Sequence, residues 1–282
     1  MTKVVIIGFG KVGSHLYNVL KTIKGKFLIS VINSSHSKIN KKNLSNADLI
    51  LICTQDYNIR SAVKKIIKTG ISLKGKIAAH TSGAFSSDEI SVLKKNGCAI
   101  ASFHPVQTFH RKAKPKDNFF KNIYVAIEGD TKAVKILNKL SRSAGSVPVL
   151  IDKNFKSFHH ICCVISSGYI TAGLSVIRDI YTLKNGFNKV NFFNIYKPLI
   201  LNTISNITSE GIEKSLTGPI VRNDIKTIIN HINTLKTLNR FDIIEYYRFM
   251  GLKSLKIAYK KGLLTKKQII KLEKLLKSVN NN

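Results

Sequence analysis

Apolar positions along the first half of the chain follow two alternating rhythms. Short runs rich in β-branched residues, at 3–7, 27–32, 47–53, 76–79, 99–103, 123–127 and 147–151, read as strands. Between several of them, apolar residues recur every three or four positions, and 14–23, 58–68, 87–95 and 132–143 read as amphipathic helices. Strands buried on both faces, joined by helical crossovers, predict an α/β fold with a doubly wound parallel sheet of Rossmann type. After about residue 152 the strand pattern stops. The rest reads as helices over 155–181, 188–207, 225–238, 243–261 and 265–279. The expected organisation is therefore a nucleotide-binding domain over 1–151 and an all-helical substrate-binding and dimerisation domain over 152–282.

Composition narrows the function classes. With 44% apolar and 22% charged residues, the 282-residue chain is neither a disordered tail nor a coiled coil. No uninterrupted apolar run reaches the roughly 18 residues that span a bilayer, and the start MTKVVIIGFG lacks signal-peptide architecture. A cytoplasmic protein with no membrane partner is expected. The formal charge is +31, but 39 of the 46 basic residues are lysine, spread from Lys3 to Lys277. Scattered lysines are a solvated surface rather than a nucleic-acid stripe, so no nucleic-acid partner is expected. The positive field does favour small anionic ligands. Cys53 and Cys98 lie in strand-like runs as small hydrophobes. His159, His160, Cys162 and Cys163 fan around more than half of a helix, so these four cannot share one ion and no metal is expected.

The strongest chemical signal is Gly8-Phe9-Gly10-Lys11-Val12-Gly13, a GxGxxG between the first strand and the first helix. In that context Gly8 permits the turn, Gly10 lets a pyrophosphate approach the backbone, and Gly13 allows close packing. The acid that would hold a ribose 2′-hydroxyl is expected some 20 residues on, where Asn33, Ser34, Ser35 and Lys38 stand without a carboxylate. Hydroxyls, an amide and a cation suit a 2′-phosphate, which predicts NADP(H) rather than NAD. Thr54 and Gln55 close the next strand and complete the expected cofactor set.

Polar turns follow two later strands: His80-Thr81-Ser82-Gly83 and His104-Pro105-Val106-Gln107-Thr108-Phe109. In open α/β sheets, ligands lie outside the carboxyl ends of strands, so these turns are expected beside the nicotinamide. Lys156 and His160, four apart at the start of the first long helix, share a face. Thr217 to Asp224 gathers hydroxyl, arginine and acid before a helix: Arg222 could clamp a carboxylate, whereas Thr217 or Asp224 could simply cap.

GFGKVG, HTSGA (80–84), HPVQTF (104–109) and TGPIVRND (217–224) together resemble a family of Rossmann-like NADP-dependent proteins with a helical C-terminal domain of formerly unassigned function. The sequence is similar to the non-orthodox ketopantoate reductases, across essentially its whole length. That resemblance implies NADPH-dependent reduction of a small 2-keto acid, 2-dehydropantoate to pantoate, in pantothenate and coenzyme A biosynthesis. It further implies that Lys156, with His160 or His104, acts at the carbonyl, and that Arg222 and Asp224, with Ser82 or Gln107, bind the substrate. His160 stands where relatives carry an amide, Asn223 where they carry glycine, and Gly168 where they carry asparagine. The alternatives are a reductase of a pyrroline-carboxylate-like or prephenate-like acid, and a non-catalytic NADP-binding sensor. A homodimer is expected, because apolar stretches such as 162–177 exceed what one small helical domain can cover.

Overall fold

A computed structural model describes residues 1–33, 38–183 and 191–277. The chain divides into two compact units, Met1–Tyr169 and Ile170–Asn282. The parting falls after the 151/152 end of the strand pattern because the first turns of the helix beyond it belong to the sheet unit, where Lys156 is buried.

The first unit is built on seven strands: β1 Thr2–Ile7, β2 Phe27–Ile32, β3 Leu49–Ile52, β4 Ile77–His80, β5 Ala99–Pro105, β6 Tyr124–Gly129 and β7 Val147–Leu150. Their order is β2-β1-β3-β4-β5-β6-β7. Alternate residues feed the two faces: Val4 and Ile6 join one core, Val5 and Ile7 the other. The first face is covered by α1 (Lys11–Thr22) and α5 (Thr131–Ser143) through Leu16, Leu20, Leu137 and Leu140. The second face meets α3 (Ile59–Lys68) and α4 (Ser91–Lys95) through Ile59, Ile66 and Leu93, with the short α2 (Lys41–Leu44) adding Leu44. Each of these side chains is worth roughly 1.5–3 kcal/mol on burial, which is why the β-branched runs and helical stripes are so regular.

Two local expectations need correction. The sheet is parallel except between β5 and β6, so β6 and β7 run opposite to the first five strands. Residues 106–123 contain no crossover helix, and only an antiparallel neighbour dispenses with one. The helix expected over 87–95 begins as a 3₁₀ turn, Ser87–Ile90, whose first residue is tied to Glu128 by its N–H and hydroxyl.

After β7, α6 (Lys156–Val164) leads into one π-helical turn, Ile165–Tyr169, which ends the unit. The second unit holds α7 (Ile170–Leu183), α8 (Phe192–Glu210), α9 (Ile212–Ser215), α10 (Ile225–Lys236), α11 (Phe241–Lys260) and α12 (Lys266–Lys277). Ile228, Ile232, Leu255, Ala258, Leu272 and Leu276 form its core. Although no uninterrupted apolar run is long enough to span a bilayer, the 31-residue helical stretch Lys153–Leu183 contains an 18-residue window with a mean hydropathy of 1.6, long and apolar enough to do so. Scattered Ser residues break the run without lowering that average enough, and only 6% of the window is buried, unlike the core helices of soluble proteins that meet the same two criteria.

Candidate active site

In this strand order the chain reverses direction across the sheet between β1 and β3, and Gly8 and Thr54 follow those two strands. Gly8 has φ +98°, and a Cβ on it would meet the Cys53 carbonyl at 2.9 Å. A Cβ on Gly13 would lie 2.1 Å from the Gly8 carbonyl oxygen. Both glycines are thus demanded by the chain itself. Gly10 is different: a Cβ there would meet nothing within 4 Å. The space in front of Gly10 is open, and the α1 N-terminus behind it has no side-chain cap. Free backbone N–H groups and the positive end of the helix dipole facing open space form an anion cradle, so the residues present fit a dinucleotide pyrophosphate.

Asn33 follows β2, and the Gly8 N–H donates to the Ile32 carbonyl, bringing that strand end beside the cradle. Lys38 is exposed, and Ser34 and Ser35 lie outside the described residues. Phe9 packs edge-on against Tyr17 at 5.6 Å. Lys11 is exposed and Val12 half-buried. Thr54 Oγ1 is buried without a hydrogen-bond partner among the described residues, and Gln55 is engaged by the Tyr57 hydroxyl.

The second cluster lies at the ends of β4 and β5. His80 is fully buried; its Nε2 lies 2.9 Å from the Ser86 carbonyl and its Nδ1 3.2 Å from the Ser82 N–H. Donation by Nε2 and acceptance by Nδ1 make it a neutral turn-builder, and burial pushes its pKa down to about 4. The Ser82 hydroxyl oxygen accepts from the N–H groups of Ala84 and Phe85, so this expected substrate contact also serves the turn. Gln107 is exposed, and its side-chain oxygen accepts from the Thr108 N–H at 2.8 Å. Gly83 is the pivot: a Cβ there would lie 2.3 Å from His160 Nδ1 and 2.7 Å from His104 Nε2. The turn therefore brings His104 and His160 together as expected, their ring centroids 5.9 Å apart.

Lys156 is 2% exposed, and its Nζ is buried with no hydrogen-bond partner among the described residues. Burial lowers its pKa to about 8, partly offset by the nearby carboxylate of Glu128. Burial also drives His104 down to about 3, with Lys156, His159 and His160 adding repulsion. The result is an unpartnered ammonium among imidazoles, at least one of them held neutral. His160 Nδ1 is likewise buried and unpartnered.

Glu128 was not among the expected site residues. It is 3% exposed and accepts from the Ser87 N–H at 2.6 Å and the Ser87 hydroxyl at 2.8 Å. A lone acid inside the apolar run YVAIEG was the available signal. Arg222 and Asp224 belong to the second unit. Asp224 caps α10, accepting from the Thr227 N–H at 3.1 Å and the Thr227 hydroxyl at 2.7 Å, which holds its carboxyl below the usual range. Arg222 is exposed.

Residues 1–105 match a Rossmann-like domain, and residues 123–254 match a domain of unknown function, DUF2520. No protein of curated function matches by sequence. Among solved structures, a candidate NADP oxidoreductase from Bacteroides fragilis is 20% identical, covering 92% of this chain and 98% of its own, with a TM-score of 0.69. The NADP-bound pyrroline carboxylate reductase of Plasmodium falciparum is 11% identical over 92% of this chain and 97% of its own, with a TM-score of 0.58. Prephenate dehydrogenase from A. aeolicus, bound to NAD+ and hydroxyphenyl propionate, is 16% identical over 91% and 98%, with a TM-score of 0.52. The chain is thus similar to a Rossmann-like domain followed by a DUF2520 domain, on a fold it shares with these three proteins.

Proposed function

We propose that the protein is an NADPH-dependent reductase of a small carboxylate-bearing carbonyl compound, with 2-dehydropantoate as substrate and pantoate as product. One observation carries the reading: Lys156 holds a buried, unpartnered ammonium beside a neutral His104. Burying a charge without a partner costs several kcal/mol, and an active site that must meet developing negative charge is where such a cost is repaid. The nicotinamide dinucleotides named for two of the structural neighbours support the cofactor class.

Gly8, Gly10 and Gly13 would hold the pyrophosphate, and Asn33, Ser34, Ser35 and Lys38 the phosphorylated ribose. When bound, a reduced nicotinamide supplies hydride to the carbonyl carbon. Lys156 Nζ stabilises the oxygen as it becomes an alkoxide and releases a proton to it; a pKa near 8 keeps it protonated at neutral pH yet a willing donor. His104, neutral throughout the physiological range, orients that oxygen by hydrogen bonding, and His160 lines the same turn. The resemblance gives Arg222, which carries a planar fork, the role of holding a substrate carboxylate.

A second reading, a cyclic imino acid, draws on the pyrroline carboxylate reductase neighbour, because the same ammonium could protonate an imine nitrogen. We further assign a second copy of the chain to the exposed stripe Phe158, Ile161, Ile165 and Tyr169, three and four residues apart.

The test is NADPH oxidation by purified protein against ketopantoate, pyrroline carboxylate and prephenate, with NADH in parallel. Turnover of ketopantoate with NADPH supports the proposal, and turnover of the imine alone transfers it to the second reading. NADPH binding with no turnover on any acid makes the protein a cofactor sensor. Absence of NADPH binding ends all three.

A further inference from the structure

We propose that His104, His159 and Cys163 form a binding site for a zinc-class divalent cation. His104 Nδ1 lies 3.4 Å from His159 Nε2, and the same Nε2 lies 3.7 Å from Cys163 Sγ. All three donor atoms fall within 4.8 Å of one another. A tetrahedral ion with bonds of about 2.0–2.1 Å to nitrogen and 2.3 Å to sulfur sets its ligands about 3.4 Å (N to N) and about 3.6 Å (N to S) apart. Both measured edges are close to those lengths. Ordinary hydrogen bonding describes them less well: the N···N contact is longer than the usual 2.9–3.0 Å, and Nε2 has one proton or one lone pair to serve two neighbours.

The local fold explains how the three meet. His159 and Cys163 are four apart on α6, one above the other on the same face. His104 comes from the far end of β5, and its ring is admitted next to α6 because residue 83 is glycine. Spacing within one helix could not reveal this, because the third ligand arrives from the sheet, while His160 and Cys162, which spoil the four-residue set, are not needed. Two imidazoles and a thiol, with no carboxylate, select zinc, cobalt or copper over magnesium or calcium. The Lys156 ammonium is near enough to oppose a cation, and loss of the Cys163 proton on metal binding supplies the offsetting charge. The proposal goes beyond the reductase reading and does not require it.

The experiment is a Co²⁺ titration of the chelator-stripped, reduced full-length protein, read by absorption. One equivalent per chain is expected to produce thiolate-to-cobalt charge transfer and intense tetrahedral visible bands, both displaced by Zn²⁺. Cys163→Ser and Cys163→Ala should abolish the charge transfer, and His159→Gln should weaken binding at least about tenfold. Cys162→Ser, which alters the exposed neighbour, should change neither. Circular dichroism on each variant separates lost ligation from lost fold, and either Cys163 variant suffices. Absence of saturable bands overturns the proposal, as does a signal that survives replacement of Cys163 or His159, or one that vanishes with Cys162. None of these readouts depends on NADPH or on turnover.

Discussion

Gly83 and His160 stand so close that a single Cβ on the glycine would sit 2.3 Å from the imidazole Nδ1. The backbone of Gly83 is not left-handed, so the constraint comes from the two imidazoles it faces rather than from φ. Gly83→Ala should therefore fold, with stability lowered by no more than about 1–3 kcal/mol, while displacing His104 and His160. Misplacement of catalytic groups by about 1 Å can cost about 10²-fold in rate. Steady-state kinetics beside a thermal melt would show kcat reduced far more than the melting temperature; a proportionate fall in both would refute the positioning role.

Lys156→Met exchanges an unpartnered buried ammonium for an apolar chain of similar length. Turnover should fall at least about 10²-fold, and stability at pH 7 should rise by about 1–3 kcal/mol. Denaturant titration measures the second effect, and a loss of stability would mean that Lys156 has a partner in solution.

The same residue sets two pH dependences. Its folded-state pKa, near 8, lies below the ordinary lysine value of 10.5. Between those values the unfolded chain binds the extra proton, so stability should increase with pH from about 8 toward 10.5, and this slope should be missing in Lys156→Met. As proton donor, Lys156 must be protonated in the free enzyme, so kcat/KM should decline as pH rises through about 8. His104, at about 3, adds no limb above pH 5.

The three glycines of the cradle separate fold from ligand. Gly13→Ala drives a methyl into the Gly8 carbonyl and should destabilise the first unit by about 1–3 kcal/mol or more. Gly10→Ala meets none of the described residues, so it should melt like the parent and bind NADPH at least tenfold more weakly by fluorescence titration. Lys38→Ala should weaken NADPH more than NADH.

An exposed stripe of Phe158, Ile161, Ile165 and Tyr169 predicts self-association. Sedimentation equilibrium should return a dimer, and Ile161→Glu with Ile165→Glu should shift it to monomer.

Much of this was legible along the chain. Continuous apolar runs and period-3.6 patterns located every strand and the longer helices because burial on both sheet faces leaves no freedom in residue type, as at Leu49–Ile52. The GxGxxG and the turns ending in His80 and His104 were readable because backbone geometry and chemistry are local there. Three things were not. The reversal of β6 depends on a pairing no local pattern records. The contact of His104 with His159 joins residues 55 positions apart. Asp224 carries two plausible roles on the same residues, and only the bond to Thr227 gives it to the helix end.

That reversed strand has one more effect. Register places His80 beside Ser102, and Ser102 beside Glu128, so one transverse line of polar groups runs through an otherwise oily sheet. Had the sixth strand pointed the other way over the same span, Glu128 would have stood beside His104 instead of Ser102, and that transverse line would be broken. The direction of the last two strands thereby fixes where the leading opposing charge on a buried amine is held.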